Sequence, residues 1–552
     1  MSDSGFRSLI AARNDPSVKI IGLVFALTLA LQTELVFNRP VNWDEFFHLS
    51  EAHAFAQGRL TEVFQVLYAR AFGWLGWLSI DAIDQIRVAR LFMQACNLFT
   101  VAAICAMAAR FVRPVPALLT GLAYFTGGYI LEHGFSFRAD PIAAALLMGA
   151  LWILLVSKLR LGAILAAGLL SGLAVVTTIK VIFYAPAFAA VCWLRLAQTQ
   201  DRKGTLIRLT CFALVALAFS ALFLWLTILT LPAGADAAGK LLHTSGSMMF
   251  NEGLFPRWPY IFKAMAFAPI MALALLAAPV AILQADQTRT LKTAMVGLML
   301  PLVSLAFYRN SFPYYYVFIM PPVLVGAAWS FEQLLRQFPL RLVAAVLATT
   351  AVLISVTTPR SVLAVQQQVN TAVHDIFPDP VAYIDFPGMI VDYPKANFFM
   401  TTWGFHKYWR GFETSFSDLL QQQTVPMMLI NHDVLANNQN DNGGASELMP
   451  VDRVTLREGF IPHWGPVWVA GRTFPAGSAA GAFSIHAPGT YTLEGAAARI
   501  DGRLIQPGQY LVLRRGVHRF EPITSGDTRL RWGRDLHRPD YVYAGDPMLK
   551  DF

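Results

Sequence analysis

The chain has 552 residues, of which 55% are hydrophobic and only 14% are charged. A soluble domain does not need that much apolar surface, and the apolar runs reach the ~20 residues that cross a bilayer. The composition therefore excludes a soluble globular protein and predicts a polytopic membrane protein. The formal net charge of +8 is better explained by Lys and Arg in cytoplasmic loops than by nucleic-acid binding, so no nucleic-acid partner is predicted.

Successive apolar segments predict about eleven spans of roughly 20 residues each. They lie at residues 19–37, 88–110, 115–132, 139–157, 161–179, 181–196, 206–231, 262–284, 291–308, 314–331 and 340–358. No small-residue cleavage site follows the first of them, which is interpreted as a retained signal anchor. Lys and Arg recur in alternate connectors, beginning with the N-terminal one. By the positive-inside rule, the N-terminus is then predicted to be cytoplasmic.

The same orientation predicts which polar segments face outward. They are Asp44, the loop Glu132 to Asp140, Lys180, the loop 232–260, the loop 309–316 and everything after Pro359. Between Glu51 and Arg87 the chain is amphipathic rather than spanning, which predicts one or two helices lying on the outer membrane surface. Polar residues from distant parts of the sequence are thus predicted to lie on the same side of the membrane.

After Thr358 the composition changes, and Pro, Gly, Asn and Asp become common. We predict three regions, a membrane domain at 1–360, an outer α/β region at 361–472 and an outer β-sandwich at 473–552, where short strands alternate with Gly and Pro turns. All four cysteines lie in apolar segments, so neither a disulfide framework nor a CxxC metal site is predicted in the outer regions.

The first candidate site follows the first span and reads NWDEFFH, with Asp44 and Glu45 beside His48. Acids often occupy a helix N-terminus, where they stabilise it by a few tenths to 1 kcal/mol. Carboxylates at membrane depth are costly, however, and indicate a functional site. A carboxylate between aromatic residues suits a base that accepts a hydroxyl proton, so Asp44 and Glu45 are catalytic candidates and His48 is a candidate substrate ligand.

A second cluster, LEHGFSFRADP, contains Glu132, His133, Arg138 and Asp140 in a short outward loop. A solvated turn with an Arg138–Asp140 pair would explain it. The alternative is that Arg138 binds an anionic substrate, that Asp140 or Glu132 assists the first acidic pair, and that His133 contacts the substrate.

Three further features carry cations or tyrosines to the outer side. Lys180 is a lone cation between apolar runs, which either snorkels to the interface or binds a phosphate. Arg309 precedes Tyr314 and Tyr315, which form either an aromatic belt or a phosphate clamp. The loop 232–260 is rich in Gly and Ser and ends in aromatics, so it is predicted to be a lid or a passive connector, with Arg257 as a further phosphate ligand.

The arrangement of WDEFFH after the first span, FRADP in a later outer loop and Arg309 before tyrosines resembles the GT-C superfamily of integral-membrane glycosyltransferases. By its features the chain is similar to the bacterial members that modify lipopolysaccharide, such as lipid A aminoarabinose and core galacturonic-acid transferases. It departs from the aminoarabinose enzymes in lacking their Lys-Pro-Pro-Leu signature and reads FQVLYARAFGW in the first outer loop.

The resemblance implies an α-helical membrane fold, a polyprenyl-phosphate-linked sugar donor, a glycan or glycolipid acceptor and a place in the bacterial inner membrane with the C-terminal domain in the periplasm. It also implies that Asp44 is the catalytic base and Glu45 its acidic neighbour, that Arg138 and Asp140 match the family's outward Arg and Asp, and that Arg309 with Tyr314 and Tyr315 corresponds to ligands of the carrier phosphate. A divalent metal held by Asp44, Asp140 or Glu132 stays open, as does the alternative of a lipid-linked glycan transporter.

Overall fold

The computed structural model describes residues 14–59, 67–230, 253–439, 447–545 and 548–549. The chain begins with a bundle of apolar helices and ends in a domain built on β-sheets. The helices of the bundle are α1 Pro16–Asn38, α2 Trp43–Ala56, α3 Leu67–Arg70, α4 Ala82–Ala108, α5 Pro114–Phe125, α6 Gly128–His133, α7 Ala139–Val156, α8 Leu161–Thr177, α9 Ala185–Gln198, α10 Arg202–Leu229, α11 Trp258–Phe267, α12 Pro269–Gln284, α13 Arg289–Met299, α14 Tyr315–Gly326, α15 Ala328–Gln337, α16 Leu340–Thr357 and α17 Ser361–Ile376. Turns of 3₁₀ helix cover Gly73–Trp77, Ile179–Tyr184 and Leu300–Ala306.

Within the described residues, seven helical segments are long and apolar enough to cross a membrane, and two sharply bent helix pairs bring the number to nine. The bent pairs are α11 with α12, at 108°, and α14 with α15, at 69°. Two more predicted spans coincide with α5 and α8, which are apolar but have only 12 and 17 residues. The predicted class, a polytopic helical membrane protein with a C-terminal sheet region, is confirmed.

Helix α14 lies at the centre of the bundle although it contains two consecutive prolines, Pro321 and Pro322. A proline has no N–H, so the carbonyl four residues earlier loses its helical partner. The two carbonyls released in this way belong to Val317 and Phe318. They accept hydrogen bonds from the buried hydroxyls of Tyr124, at 3.0 Å, and Tyr184, at 2.6 Å. Neighbouring helices thus satisfy backbone groups that water cannot reach in a bilayer.

The C-terminal domain, which we call the outer domain after its predicted location, contains short helices and two sheets. Its helices are α18 Thr402–Trp409, α19 Phe416–Gln422, α20 Asp433–Gln439 and α21 Pro450–Gly459. Its strands are β1 Tyr383–Ile384, β2 Met427–Leu429, β3 Phe460–Trp464, β4 Val467–Phe474, β5 Gly481–Ile485, β6 Gly489–Gly495, β7 Ala498–Ile500, β8 Arg503–Ile505, β9 Tyr510–Leu513, β10 Gly516–Pro522 and β11 Thr528–Trp532. A seven-stranded sheet has the order β1-β2-β4-β11-β6-β9, with β3 paired to β4, and a second sheet has the order β5-β10-β7-β8.

The larger sheet crosses the boundary predicted near residue 472. The first half of β4 pairs with β2 and β3, while its second half, Gly471 to Phe474, pairs with β11. The two outer regions predicted from composition therefore share one sheet, because one long strand belongs to both.

Buried contacts join the outer domain to the beginning of the bundle. The Gln366 side chain on α17 exchanges hydrogen bonds with the backbone of Val41, at 2.9 and 2.8 Å, and donates to the Met548 carbonyl, at 2.8 Å. These bonds fix the segment that leads into α2, which carries the first candidate site.

Candidate active site

The sequence just before α2 specifies where that helix begins. Asn42 is the N-cap, and its side chain accepts a hydrogen bond from the Asp44 N–H at 3.0 Å. The Glu45 carboxylate reaches back to the Asn42 N–H, also at 3.0 Å, and completes a capping box. Asp44 and Glu45 are consecutive residues on a helix, so their side chains leave it about 100° apart.

Glu45 points away from solvent and pairs with Arg90 of α4. The two N–O distances of this bidentate pair are 2.8 and 2.6 Å, and both side chains are fully buried. Arg90 also donates to the carbonyls of Val36, Arg39 and Pro40 at 2.8 to 3.2 Å. One guanidinium therefore clamps the turn between α1 and α2. Burial opposes ionisation of Glu45, but Arg90 outweighs it and lowers the pKa of the carboxyl.

The same stretch of α2 positions the FRADP segment. Glu45 accepts a hydrogen bond from the Phe137 N–H at 2.9 Å, and Nδ1 of His48 lies 2.9 Å from the Phe137 carbonyl oxygen. Burial lowers the pKa of His48 to about 4, so the imidazole is neutral and donates from Nδ1. These two bonds hold the backbone of Phe137 on α2 and bring the next residue, Arg138, beside Asp44.

Four ionisable side chains then form a chain of alternating charge. Arg138 makes an ion pair with Asp44, its Nε lies 3.8 Å from Oδ2 of Asp140, and Lys180 makes an ion pair with Asp140. The Arg138 guanidinium stacks over the ring of Tyr314, 3.5 Å from the centroid. Burial lowers the pKa of Arg138. We call Asp44, Arg138, Asp140 and Lys180 the charged floor.

The charged floor borders a cavity of about 1170 Å³ between the helices and the outer domain. One side is apolar and is formed by α8, the 3₁₀ turn after it and α10. This lipid-side wall contains Val175, Ile179, Ile182, Leu217, Ala221 and Leu224. Ile182 and Leu217 are 62% and 69% exposed on predicted spans, where hydrocarbon would cover them.

The opposite side of the cavity is formed by α2 and the outer domain. This aromatic wall contains Trp43, Phe47, Phe386, Phe399, Trp403 and Trp409. Phe47 and Phe399 stack with ring centroids 4.1 Å apart, so the two domains meet through aromatic contact next to the charged floor.

The structure brings together six of the predicted site residues at this cavity. They are Asp44, His48, Arg138, Asp140, Lys180 and Tyr314. The other predicted residues do not line it, and Glu45 in particular is a partner of Arg90 and not a second acid beside the substrate space.

Glu132 and His133 do not line the cavity and contact Arg39 instead. The Glu132 carbonyl accepts from Arg39 at 2.6 Å, and the His133 ring lies 3.4 to 3.5 Å from the same guanidinium. Burial lowers the pKa of His133 well below its usual value. Both residues belong to the short helix α6, which ends before the chain turns toward the cavity.

Three residues near the beginning of α14 also differ from expectation. Tyr315 is buried, and its hydroxyl bonds to Ser304 at 2.7 Å, so it supports the helix packing. Arg257 stacks on Phe312 at 4.6 Å, and Phe312, rather than Arg257, lines the cavity. Arg309 does not line it either, although its neighbours Tyr308 and Asn310 do. Most of the predicted lid, residues 231–252, lies outside the described residues.

The donor set for a metal can be tested on the described residues. They contain no group of three His, Cys, Asp or Glu side chains that could hold an ion. Asp44 and Asp140 each lie against a cation of the floor instead, and Glu132 lies elsewhere. The residues present do not fit a metal site built from these three carboxylates.

The sequence prediction did not include the aromatic wall as part of the site. Its outer-domain members follow the strand β1 and lie in the segments FPGMI and NFFMTTWGFHKYW, where aromatics are dense and the ionisable residues, His406 and Lys407, do not line the cavity. Their density between Phe398 and Trp409 was the available signal.

No protein-family model matches the chain, and no curated protein matches it in sequence. Among solved structures it is similar to ArnT from Cupriavidus metallidurans bound to undecaprenyl phosphate, with a TM-score of 0.57 and 14% identity over 82% of this chain and 97% of that one. The apo state of the same protein gives a TM-score of 0.57 at 13% identity, with the same coverage. An apo oligosaccharyltransferase from Archaeoglobus fulgidus gives 0.53 at 10% identity, over 96% of this chain and 95% of that one.

Both proteins are GT-C glycosyltransferases, so the resemblance to that superfamily is confirmed at the level of the fold. Each likeness covers most of both chains, and the archaeal one includes nearly all of the outer domain. Helical bundle and sheet domain therefore belong to one shared architecture.

Proposed function

We propose that this chain, which has the fold of the GT-C glycosyltransferases, transfers a sugar from a polyprenyl-phosphate carrier to a hydroxyl of an envelope glycan or glycolipid. The proposed site is the cavity above the charged floor, and the proposed place is the periplasmic face of a bacterial inner membrane. The similar ArnT structure contains undecaprenyl phosphate, a carrier of this class.

The observation that carries the proposal is the juxtaposition of the charged floor with the lipid-side wall. Buried cations such as Arg138 and Lys180 are costly unless they are paired, and they suit a phosphate that arrives from the membrane. The apolar wall beside them suits the hydrocarbon chain of the carrier. A soluble nucleotide sugar would not need such a wall.

The reaction we propose is a single inverting displacement. Asp44 accepts the proton of the acceptor hydroxyl, and the oxygen attacks the anomeric carbon from the face opposite the carrier. The bond from that carbon to the phosphate oxygen breaks, and polyprenyl phosphate leaves with its electron pair. Arg138 and Lys180 stabilise the charge that develops on the phosphate.

Arg138 is paired with the proposed base, Asp44, and stacked on Tyr314, and we propose that it also contacts the carrier phosphate. A phosphate that takes over part of the guanidinium would leave the Asp44 carboxylate less neutralised and therefore a stronger base. Asp140 holds Lys180 in place for the same phosphate.

The charges lie at the ends of helices, which fits a surface-facing enzyme site better than the transporter alternative, where buried charges lie along a pathway in mid-span.

The test is transfer of radiolabelled sugar in membranes that contain the protein. We expect Asp44→Asn, which keeps size and polarity, to lower the rate by ~10²–10⁴-fold. Glu45→Gln is the matched control, and it should lower the amount of folded protein but not the rate per folded molecule. Wild-type rates from Asp44→Asn would refute the proposal.

A further inference from the structure

The aromatic wall has features that neither the carrier nor the chemistry at the floor explains. Trp409 is 53% exposed, yet it is held firmly in place. Its indole N–H donates to the Glu447 carbonyl at 2.7 Å, and its ring is stacked on Phe405 with centroids 5.7 Å apart at 26°. A large, rigid and exposed indole offers contact area at a low cost in conformational entropy, which is typical of a binding surface.

The aromatic wall is continuous with the charged floor. Asp44 and Phe47 are three residues apart on α2, so they share one face of the helix. Phe399 extends this face into the outer domain, with its ring stacked on Phe47 and its centroid 5.5 Å from that of Trp43. A molecule lying on these rings would therefore present a group to the Asp44 carboxylate.

The charge of the aromatic wall restricts what can lie there. Among the described outer-domain residues that line the cavity, Glu447 and His432 are the ionisable ones, and none is Lys or Arg. The hydroxyl-bearing residues Thr401 and Thr402 lie between the rings. The Lys and Arg side chains among the described lining residues are Arg138 and Lys180 of the floor, whereas the aromatic wall presents aromatic faces and small polar groups that match an uncharged, hydroxyl-rich ring.

We infer that the aromatic wall is the acceptor subsite and that it binds an uncharged saccharide ring, whose C–H face packs on Phe399 and Trp409 while a ring hydroxyl points toward Asp44. This rests on the proposed function for its role in transfer. The binding itself needs only the wall.

The direct test measures binding of soluble saccharides to the full-length protein in lipid nanodiscs by saturation-transfer NMR. The probes are maltose, lactose and N,N′-diacetylchitobiose, with a Ser/Thr-containing peptide and inorganic phosphate as alternatives. We expect saturation to reach the C–H protons of at least one disaccharide. Saturation of the peptide or binding of phosphate without any disaccharide signal would overturn the inference.

Variants separate the wall from the rest of the molecule. Trp409→Ala should weaken disaccharide binding about tenfold or more, as is usual for a tryptophan that anchors an interface, and Trp409→Phe should keep most of it. Trp77→Ala is the matched control, because Trp77 is 82% exposed and lies outside the cavity. Equal binding by Trp409→Ala and wild type would contradict the inference.

The binding assay keeps this result distinct from the fate of the proposed function, because it involves no transfer step. Disaccharide binding by wild type and its loss in Trp409→Ala should be seen even if the transfer assay fails in every variant. Conversely, loss of transfer in Asp44→Asn with unchanged acceptor KM in Trp409→Ala would preserve the proposed function and remove the aromatic acceptor subsite.

Discussion

Two ion pairs made by consecutive residues show how differently one motif is used. Glu45 and Arg90 are 0% and 1% exposed, and all five N–H groups of Arg90 have acceptors in Glu45 and three carbonyls. Asp44 and Arg138 are 12% and 9% exposed and border the cavity. The first pair is a closed junction that holds three segments together, whereas the second can exchange partners with a ligand. Two neighbouring residues of α2 thus differ in role, because Glu45 is structural and Asp44 is the proposed catalytic base.

The largest expected effect is on the closed junction. Arg90→Met leaves Glu45 as a buried carboxylate without its cation, which should lower the free energy of unfolding by about 3–5 kcal/mol. Thermal unfolding of the detergent-purified protein measures this. The double variant Arg90→Met/Glu45→Gln should recover a substantial part of the loss, because it removes the uncompensated charge. An unchanged unfolding temperature in Arg90→Met would erase the distinction between the two pairs.

The open pair should respond in activity rather than stability. Arg138→Gln removes a donor to the developing phosphate charge and should lower transfer by ~10²–10³-fold. The unfolding temperature should fall less than in Arg90→Met, because Asp44 then faces a cavity that can admit water. Labelled-sugar transfer and unfolding are measured on the same preparation. A fall in unfolding temperature as large as that of Arg90→Met, with normal activity per folded molecule, would place Arg138 with the structural residues.

The pH dependence of stability sharpens the comparison at His48, which links the open pair to Phe137. Its pKa is about 4 in the folded protein, against 6.5 for an ordinary histidine. The unfolded chain therefore binds more protons than the folded protein between these pH values. The contribution of the neutral His48 to the free energy of unfolding is fully present above pH 6.5 and is lost as the pH falls toward 4. The loss is on the order of 3 kcal/mol at 1.36 kcal/mol per pKa unit.

Unfolding measured from pH 7 to pH 4 tests this, with His48→Asn as the comparison. Asparagine can donate to the Phe137 carbonyl but does not titrate, so the variant should show a shallower decline. Equal slopes in the two proteins would show that the His48 imidazole is not kept neutral by the fold.

The smallest expected effect concerns the cap that both pairs share. Asn42→Ala removes the acceptor for the Asp44 N–H and should lower the free energy of unfolding by about 0.5–2 kcal/mol. Asn42→Asp should retain most of the stability, because aspartate caps equally well. Chemical denaturation of the three proteins gives the ranking, and an alanine variant as stable as wild type would show that Glu45 alone fixes the helix start.

The helical class and the members of the charged floor could be predicted from sequence, and for one physical reason. The connectors rich in Lys and Arg predict on which side of the membrane each span begins and ends. This prediction puts Asp44, Arg138, Asp140 and Lys180 on the same side. Two anions and two cations on the same side of a helical bundle are expected to pair, and the structure joins them in one row of ion pairs.

The order of the spans predicts on which side of the membrane a residue lies, but it does not predict which way the side chain of that residue points. Glu45 was predicted as a second acid because its partner, Arg90, lies in a different predicted span with no local sign of a connection. Glu132 and Arg309 are close in sequence to lining residues, but the short helix α6 and the turn before α14 direct them elsewhere. The boundary predicted near residue 472 lies within a sheet that both regions share. The pairing of β4 with β11 joins distant parts of the sequence, so composition near residue 472 does not reveal it.

That pairing has a consequence for how the protein is made. Strand β11, at residues 528–532, is inserted between β4 and β6, so the ribosome must deliver it before the sheet can close. The membrane helices and the described residues that line the cavity, which end at Glu447, are synthesised long before β11. A nascent chain that stalls between β10 and β11 would thus contain the helical bundle and these lining residues while the larger sheet still lacks the strand between β4 and β6.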